Sequence, residues 1–290
     1  MRLFYGVFLL LFLQSCSSEY DKHLKISATT WIGYTPLFYA EAKGWLKPLN
    51  IKLLNVTSLA ENMYLYQAGK SDAYTGTQYE YGILKDDMPS LRPIMMFDQS
   101  NGGDLIMSNF SLKELQESNQ TIDIYLEMDS INSVVLHDFL NSYKLSKKEI
   151  QYFNKDQTQI RNLKKRSNPT IVVTYVPYNV ILSEHGFKEI ASTKENLQLI
   201  VVDAMFATSE IYEQHTKQFQ ALKKSVNRAV DALYENPKEF YLTIKPYILD
   251  MSYEEFEASL DRIIWVHKNI TPALSQRLKN AGFPTEELLQ

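Results

Sequence analysis

Stretches rich in β-branched and aromatic residues alternate with helix-like segments over most of this 290-residue chain, and this alternation limits the folds open to it. The composition of residues 24–29 predicts a strand, and Thr35 with Pro36 offers a helix N-cap followed by a proline at the first helical position. That helix ends near Gly44, and a second strand is predicted at 51–56. Repeated strand–helix–strand units predict a parallel, doubly wound sheet.

The alternation occurs in two successive units. The second unit ends with a strand predicted at 199–206, and beyond residue 209 the pattern is nearly all helical. The tail is predicted to form helices at 219–234, 237–246 and 252–264. We therefore predict an α/β fold of two doubly wound lobes around a ligand cleft. Lobe 1 is expected to contain 24–103 plus 204–290, and lobe 2 to contain 104–203.

The N-terminal residues have the order of a secretory signal. Arg2 precedes an apolar run at 3–13, and small residues then lead to Cys16. The pattern before Cys16 resembles the lipobox of bacterial lipoproteins, which implies a signal peptide at 1–15, a lipid on Cys16 and a tether at 16–23. Two alternatives remain open. One is a plain secreted form cut nearby, and the other is a transmembrane anchor, which needs about 20 apolar residues.

Charge and cysteine content argue against several classes of function. With 30 basic and 34 acidic side chains, the formal net charge is −4, and the sequence has no basic patch suited to nucleic acid. The single cysteine cannot build a disulfide framework or a thiolate metal site. The 5 histidines lack metal-ligand spacing, and no nucleophile elbow or phosphate loop occurs. We expect no cofactor, no metal ion and no nucleic-acid partner.

Several short motifs occur in order along the chain. They are the segment 31–40 with the following Lys43, Gly44 and Trp45, the Ala-Gly-Lys-x-Asp-Ala element at 68–73, a Ser-Asn-Gly crossover at 98–104, a Thr-Tyr-x-Pro loop at 173–178, the Asp at 203, and the Asn-Pro pair at 236–237. Together they resemble the substrate-binding proteins of ABC transporters for sulfonates, taurine, nitrate and thiamine precursors. The resemblance covers about residues 24–264.

That resemblance implies the type II periplasmic-binding-protein fold. It also implies a lipid-anchored extracytoplasmic protein, on the periplasmic side of a membrane, that captures a small molecule and delivers it to an ABC permease. The alternative is a sensory protein that reports its ligand to a membrane receptor. Enzymes with this fold include thiamine-pyrimidine synthases, but their cysteine-rich motif has no counterpart after Cys16. We therefore predict a protein that is not an enzyme.

Two segments depart from the family pattern. A polar run at 117–120 replaces the usual Leu-x-Gly-Lys element before the strand near Ile122, and residues 164–170 replace the usual Gly-x-Val/Ile-Asp-Ala element. The fold tolerates such changes, whereas the identity of the ligand cannot be transferred from relatives. The site is therefore predicted residue by residue.

Loops at the carboxyl ends of the predicted strands supply the candidate ligand contacts, because ligands bind there in doubly wound sheets. Aromatic side chains from the two lobes could sandwich a flat or apolar group. Hydroxyl, amide and carboxyl groups lie at the predicted helix starts, one of them a serine cap at residue 130. The candidates are Trp31, Tyr34, Thr75, Thr77, Asp104, Glu127, Ser130, Asn132, Tyr175 and Tyr178.

Structural roles are the alternative for each kind of candidate. Thr75 and Thr77 could only cap a helix. Trp31 or Tyr178 could only pack a loop, and Asp104 could serve a hinge between the lobes. No Lys or Arg falls within the candidate loops, so an anionic ligand would depend on helix N-termini alone. An amine or a nitrogen heterocycle could instead pair with a carboxylate, and the sequence favours this second type of ligand.

Overall fold

The computed structural model describes residues 20, 22–194, 197, 199–249, 251–286 and 288–289 of the chain. The predicted signal peptide at 1–15, the lipidation site Cys16 and the first part of the tether lie outside the described residues. Within the described residues, no helix combines the length and apolar character needed to cross a membrane.

Strands and helices alternate along the described chain. The strands are β1 (Leu24–Thr29), β2 (Ile51–Val56), β3 (Ala73–Thr77), β4 (Leu91–Ser100), β5 (Asp104–Ser108), β6 (Ile122–Leu126), β7 (Ile150–Asn154), β8 (Thr170–Tyr175), β9 (Lys188–Ser192), β10 (Val202–Thr208) and β11 (Ile263–Trp265). The helices are α1 (Thr35–Ala42), α2 (Leu59–Gln67), α3 (Gln78–Asp87), α4 (Leu112–Glu117), α5 (Asn132–Ser142), α6 (Gln157–Ile160), α7 (Asn179–Glu184), α8 (Ser209–Glu235), α9 (Pro237–Ile244), α10 (Tyr253–Leu260) and α11 (Pro272–Asn280).

The strands form two sheets, with the orders β11–β4–β10–β3–β1–β2 and β7–β6–β8–β5–β9. Here lobe 1 means the first sheet with its helices, and lobe 2 means the second sheet with α4 to α7. The sheets are mixed, with parallel pairs as predicted from the strand–helix alternation and antiparallel pairs that this alternation did not predict. Strand β10 runs antiparallel to β3 and β4, and β5 runs antiparallel to β8 and β9.

The direction of β5 and β10 has a simple cause. Both strands follow a crossing of the chain from one lobe to the other, so each begins at the edge where the lobes meet. Strands β1, β3, β6 and β8 end at that edge instead, as the parallel pairs β1–β3 and β6–β8 require. The first residues of β5 and β10 therefore lie beside the last residues of β1, β3 and β8, where a doubly wound sheet binds its ligands.

The C-terminal part departs most from the prediction. Helix α10 ends at Leu260, and the residues predicted to continue it form β11, which pairs antiparallel with β4. The sequence Ile263-Ile264-Trp265 suits the edge of a sheet, because β-branched and aromatic side chains pack well on a pleated surface. Helix α8 also begins earlier than predicted, at Ser209, with a break in helical geometry at His215.

Buried apolar side chains cover both faces of the lobe 1 sheet. Met205 packs in a core cluster shared with α1, α8 and α9, whereas its neighbours Ala204 and Phe206 pack on the other face beside α3 and α11. Successive side chains of a strand point to opposite faces, so β10 supplies both clusters. Six of the seven residues of this central strand are buried, so its first residues, which follow the second lobe crossing, are held in a fixed position.

Candidate functional site

A small cavity lies where the two lobes meet. Its volume is about 10 Å³, room for roughly one water molecule. Lobe 1 contributes most of the lining and lobe 2 contributes the rest. The lining residues are Thr29, Trp31, Leu59, Thr77 and Asp203 from lobe 1, with Asp104 and Tyr175 from lobe 2. The structure thus brings four of the predicted site residues, Trp31, Thr77, Asp104 and Tyr175, to one place between the lobes.

Aromatic side chains from both lobes form one wall of this region. The ring of Trp31 lies 5.8 Å from that of Tyr175, with the planes at 79°. Tyr175 lies 5.2 Å from Tyr178 at 86°. All three side chains are buried. The rings meet edge to face, which is a favoured geometry for aromatic pairs, and the predicted sandwiching of a ligand group between the aromatic residues of the two lobes stays a prediction.

Three carboxyl groups gather next to these rings. Asp98 of β4 and Asp203 of β10 face each other directly across the two strands. The Trp31 indole N–H donates to both carboxyl oxygens of Asp98 at 3.3 Å, and the Tyr34 hydroxyl donates to Asp203 Oδ1. Asp104, at the start of β5, is close enough to influence both. The lobe crossings therefore bring acidic side chains together at the cavity.

Burial and mutual repulsion raise the pKa of each of these carboxyls. The pKa values of Asp98 and Asp203 both rise well above the usual range, and burial is the main cause for each. Repulsion from Asp104 adds to the shift of Asp98, and repulsion from Asp98 adds to the shift of Asp203. Burial, with a contribution from Glu80, raises the pKa of Asp104 to about 7. Like charges in a low-dielectric site favour the protonated form, and among the described residues no Lys, Arg or His contributes to the pKa shifts of these three carboxyls.

Two glycines make the close approach possible. A Cβ on Gly33 would lie 1.8 Å from Asp98 Oδ2 and 2.6 Å from Trp31 Nε1. A Cβ on Gly103 would lie 2.4 Å from the Trp31 ring. Any larger residue would push these side chains away from the backbone, so the arrangement of Trp31 and Asp98 depends on glycine at both positions.

Two glutamates link the lobes through helix starts. Glu80 of α3 accepts hydrogen bonds from the Thr77 N–H and, across the cleft, from the Ile131 N–H, both at 2.8 Å. In return, Glu127 of lobe 2 accepts from the Ala60 N–H at 2.8 Å. Ile131 precedes α5, and Ala60 lies in the first turn of α2. Each lobe thus places a carboxylate on the N-terminus of a helix in the other lobe, a position that favours anions.

Further contacts close the region around the cavity. The Tyr64 hydroxyl donates to Asp129 of lobe 2 at 2.7 Å, and the Tyr178 hydroxyl lies 3.4 Å from the Thr57 carbonyl oxygen of lobe 1. The Tyr64 side chain is half exposed, at 49 %. Tyr64 was not predicted to join the site, because its position within a helix gives no sign of a contact with the other lobe.

The crossings between the lobes are held by their own hydrogen bonds. The Ser100 and Thr193 hydroxyls lie 2.8 Å apart, and the Gly102 N–H donates to Thr193 at 2.8 Å. Arg262 donates to the Gly102 carbonyl at 2.8 Å and pairs with Glu189 of lobe 2 at 2.9 Å. The segment that joins β4 to β5 is therefore hydrogen-bonded to Thr193, in the segment that leads from β9 back to lobe 1, and to Arg262 in the C-terminal part of lobe 1.

Several polar atoms at the cavity make no hydrogen bond within the described protein. They include Asp104 Oδ2, the Tyr175 hydroxyl and Thr29 Oγ1, all of residues that line the cavity. Glu127 Oε2 is a further unpartnered oxygen. All four side chains are more than nine-tenths buried. A buried polar atom without a partner costs about 1–3 kcal/mol, so their placement suits groups that meet a ligand.

The remaining predicted residues have local roles in the structure. Tyr34 supports Asp203 and does not line the cavity. Thr75 lies within β3 and is also absent from the lining, with its hydroxyl unpartnered. Helix α5 begins at Asn132, two residues later than predicted, and the Ser130 hydroxyl accepts from the Asn132 N–H at 3.2 Å while donating to the Glu127 carbonyl. The buried amide of Asn132 has no partner in the described structure.

Sequence reasoning missed four residues of this region, Thr29, Leu59, Glu80 and Asp98. Asp98 follows four buried apolar residues near the end of a strand. A carboxyl group after such a run indicates a polar group at the edge of the sheet, so this pattern could have identified Asp98. Glu80 stands three residues after Thr77, which predicts a capping box, and the structure contains one. Its second contact, to the other lobe, could not be read from that local pattern.

No family model matches the sequence, and no curated protein matches it either. Solved structures do match. The ligand-binding component of an ABC-type import system from Staphylococcus aureus, solved with zinc bound, has a TM-score of 0.72 at 13% identity, over 93% of this chain and 97% of that one.

The alkanesulfonate-binding protein SsuA from Xanthomonas axonopodis pv. citri, solved with MOPS bound, gives a TM-score of 0.69 at 10% identity over 90% and 91%. A Candida albicans protein described as having the generic periplasmic binding protein fold gives 0.66 at 16% identity over 91% and 92%.

These likenesses establish the architecture. The chain has the two-lobe, type II periplasmic-binding-protein fold, as the sequence motifs predicted. Identities of 10–16% carry the fold alone and leave the ligand open.

Proposed function

We propose that this protein captures a small molecule between its two lobes and delivers it to an ABC importer. The observation that carries the proposal is the cavity between the lobes, lined from both sides and containing buried polar atoms without partners. A group that meets such atoms from both lobes would hold the lobes together. A fold neighbour that is the ligand-binding component of an ABC-type import system supports the same role.

Closure would follow from differential binding. In an open arrangement, a ligand meets only one lobe at a time, whereas in the closed one it meets Trp31 and Asp104 together. A ligand shifts an equilibrium only through this difference in affinity. The contacts Glu80–Ile131, Glu127–Ala60 and Tyr64–Asp129 then form as the lobes meet. A hinge at the crossings would leave each lobe rigid, and no catalytic step is required.

We also propose that the chain is exported, cut before Cys16 and anchored to a membrane by a lipid on that thiol. The support is the order of Arg2, the apolar run and Cys16 in the sequence. Fractionation tests this proposal: the wild-type protein is expected in the membrane fraction, and Cys16→Ser in the soluble extracytoplasmic fraction. Equal membrane retention of both would contradict the lipid anchor.

A ligand screen tests the proposed capture. Purified protein is melted in the presence of sulfonates, nitrate, polyamines, pyrimidines, thiamine and amino acids. Ligand at about 100 times its dissociation constant should add about 2.7 kcal/mol to the stability. Stabilisation by one chemical class, lost on replacing Asp104, supports capture in this cleft. Stabilisation by none, or an effect independent of the cleft residues, contradicts it.

Uptake measurements then test delivery. Deleting the gene should abolish import of the stabilising compound by cells that express the protein. Normal import together with a lost transcriptional or motile response would assign the protein to sensing.

A further inference from the structure

We propose that the cleft selects a small organic cation, whose protonated nitrogen lies against Asp104 and Asp203 and whose body lies along the Trp31 and Tyr175 rings. This inference rests on the proposed function and specifies its ligand. Three observations support it: glutamates occupy helix N-termini at the cleft, polar atoms of the cavity have no hydrogen-bond partner, and several aspartates surround the cavity.

Two of the anion-binding positions at the cleft are already occupied. Helix N-termini with free N–H groups are the places where a protein of this architecture can hold a negative group without basic side chains. In this protein, Glu80 accepts a hydrogen bond from the Ile131 N–H before α5. Glu127 accepts one from the Ala60 N–H in the first turn of α2. A sulfonate or carboxylate ligand would have to displace these carboxylates and then lie beside them. The two glutamates therefore disfavour an anionic ligand.

The unpartnered groups can all accept a hydrogen bond. Asp104 Oδ2 can only accept a hydrogen bond when ionised, and the Thr29 and Tyr175 hydroxyls can each accept one. An ammonium or amidinium group carries several N–H donors and satisfies all three. Among the described residues, those that line the cavity include no Lys, Arg or His that could do so.

The charges around the cavity point the same way. Asp98 and Asp203 oppose each other across two strands, and like charges in that position repel. Each receives a hydrogen bond from a neutral side chain, Trp31 or Tyr34, and not from a cation, so the protonated forms are favoured until a cation binds beside them. A bound cation would compensate this cluster, and the edges and faces of Trp31 and Tyr175 would surround its body.

An organic cation fits better than a metal ion. Among the described residues, no three His, Cys, Asp or Glu side chains are grouped closely enough to hold a metal. The faces of the aromatic rings in the lining have no oxygen or nitrogen ligands for a hydrated metal ion. They can pack against the apolar part of an organic cation.

Matched compounds test the proposal. Benzylamine, benzyl alcohol and benzenesulfonate share one body and differ in charge, as do ethylamine, ethanol and ethanesulfonate. Each is added to the purified protein at constant ionic strength and pH, and thermal unfolding is followed, with zinc chloride as a separate arm. We expect the amines to raise the melting temperature by about 5 °C near saturation. The alcohols and sulfonates should have little effect.

Two variants and a control localise the effect. Asp104→Asn should remove most of the stabilisation by amines, and Thr29→Val should reduce it. Asp86→Asn removes the same charge from the exposed face of α3 and should leave the stabilisation intact. Thr29→Val keeps the test decisive if Asp104→Asn fails to fold.

The outcomes separate this inference from the proposed function. Stabilisation by a sulfonate that depends on Asp104 or Thr29 would overturn the cation and leave the capture function standing. Stabilisation by zinc alone, or by amines equally in Asp104→Asn, would also overturn the cation site. No stabilisation by any compound would count against both.

Discussion

The acidic side chains that the two lobes bring to the cleft differ in how fully they are hydrogen-bonded. In lobe 1, Asp98 and Asp203 each receive a hydrogen bond from an aromatic side chain of their own lobe. In lobe 2, Asp104 and Glu127 each keep one oxygen without a partner. The two aspartates of lobe 1 are thus arranged in advance, whereas Asp104 and Glu127 of lobe 2 each keep an oxygen that a ligand can meet. In such an arrangement the acidic groups of lobe 1 are preorganised, and those of lobe 2 gain hydrogen-bond partners when the lobes close on a ligand.

The largest expected effect comes from disrupting the preorganised groups of lobe 1. In Gly33→Ala, the new methyl group would overlap the Asp98 carboxyl and the Trp31 indole. We expect unfolding in urea to show a loss of about 3 kcal/mol, as for severe overpacking. Gly82→Ala is the control, because the Cβ there meets nothing within 4 Å and the residue lies inside α3. It should stabilise by about 0.5–1 kcal/mol. Similar losses in both variants would contradict the account.

The second effect concerns the acidic groups of lobe 2 and pH. Burial raises the pKa of Asp104 to about 7, above the usual value for an unfolded chain of about 3.9. Because the folded protein holds the Asp104 proton more tightly than the unfolded chain does, this carboxyl stabilises the fold at low pH. That stabilisation is lost as the pH rises through about 7. Without ligand, Asp104→Asn should be more stable than wild type at pH 7.5, and the advantage should shrink by about 2 kcal/mol at pH 5. A difference independent of pH would show that this carboxyl titrates normally.

A pair of identical substitutions compares the lobes directly. Tyr34→Phe removes the hydroxyl that donates to Asp203, and should cost about 1.5 kcal/mol of ligand-free stability. Tyr175→Phe removes a buried hydroxyl without a protein partner, and should leave that stability unchanged or slightly raised. For ligand binding, Tyr175→Phe is expected to weaken affinity by about tenfold. If both variants lost equal stability without ligand, the difference between the lobes would not exist.

The smallest effect is expected at the mouth of the cleft. Tyr64→Phe removes the hydrogen bond to Asp129 between partly exposed side chains. Such a bond contributes about 0.5 kcal/mol, so titration calorimetry should show affinity weakened by about twofold. A tenfold loss would mean that this contact, and not the buried groups, governs closure.

Local signals in the sequence predicted much of the fold, and long-range pairing accounts for what they missed. The strand–helix alternation and the motif order identified the two-lobe architecture. They could not reveal that β5 and β10 run against their neighbours, because strand direction depends on where the chain crosses between lobes. Likewise, Ile263–Trp265 joins β4 through a partner far away in the sequence.

The site was predictable to a similar extent. Trp31, Thr77, Asp104 and Tyr175 stand at strand ends or starts, so a rule about sheet edges finds them. The second contact of Glu80 joins residues of different lobes, and a capping-box pattern gives no hint of it. Whether these residues bind ligand remains a prediction.

Small-angle X-ray scattering tests the central claim, closure of two lobes around a ligand, most directly. The radius of gyration is measured for the purified protein alone and with the compound that stabilises it most, and both are compared with the value calculated from the structure described here. The account predicts a larger radius without ligand, and with ligand a decrease to the calculated value that Asp104→Asn does not show. An identical radius with and without a bound compound would contradict it.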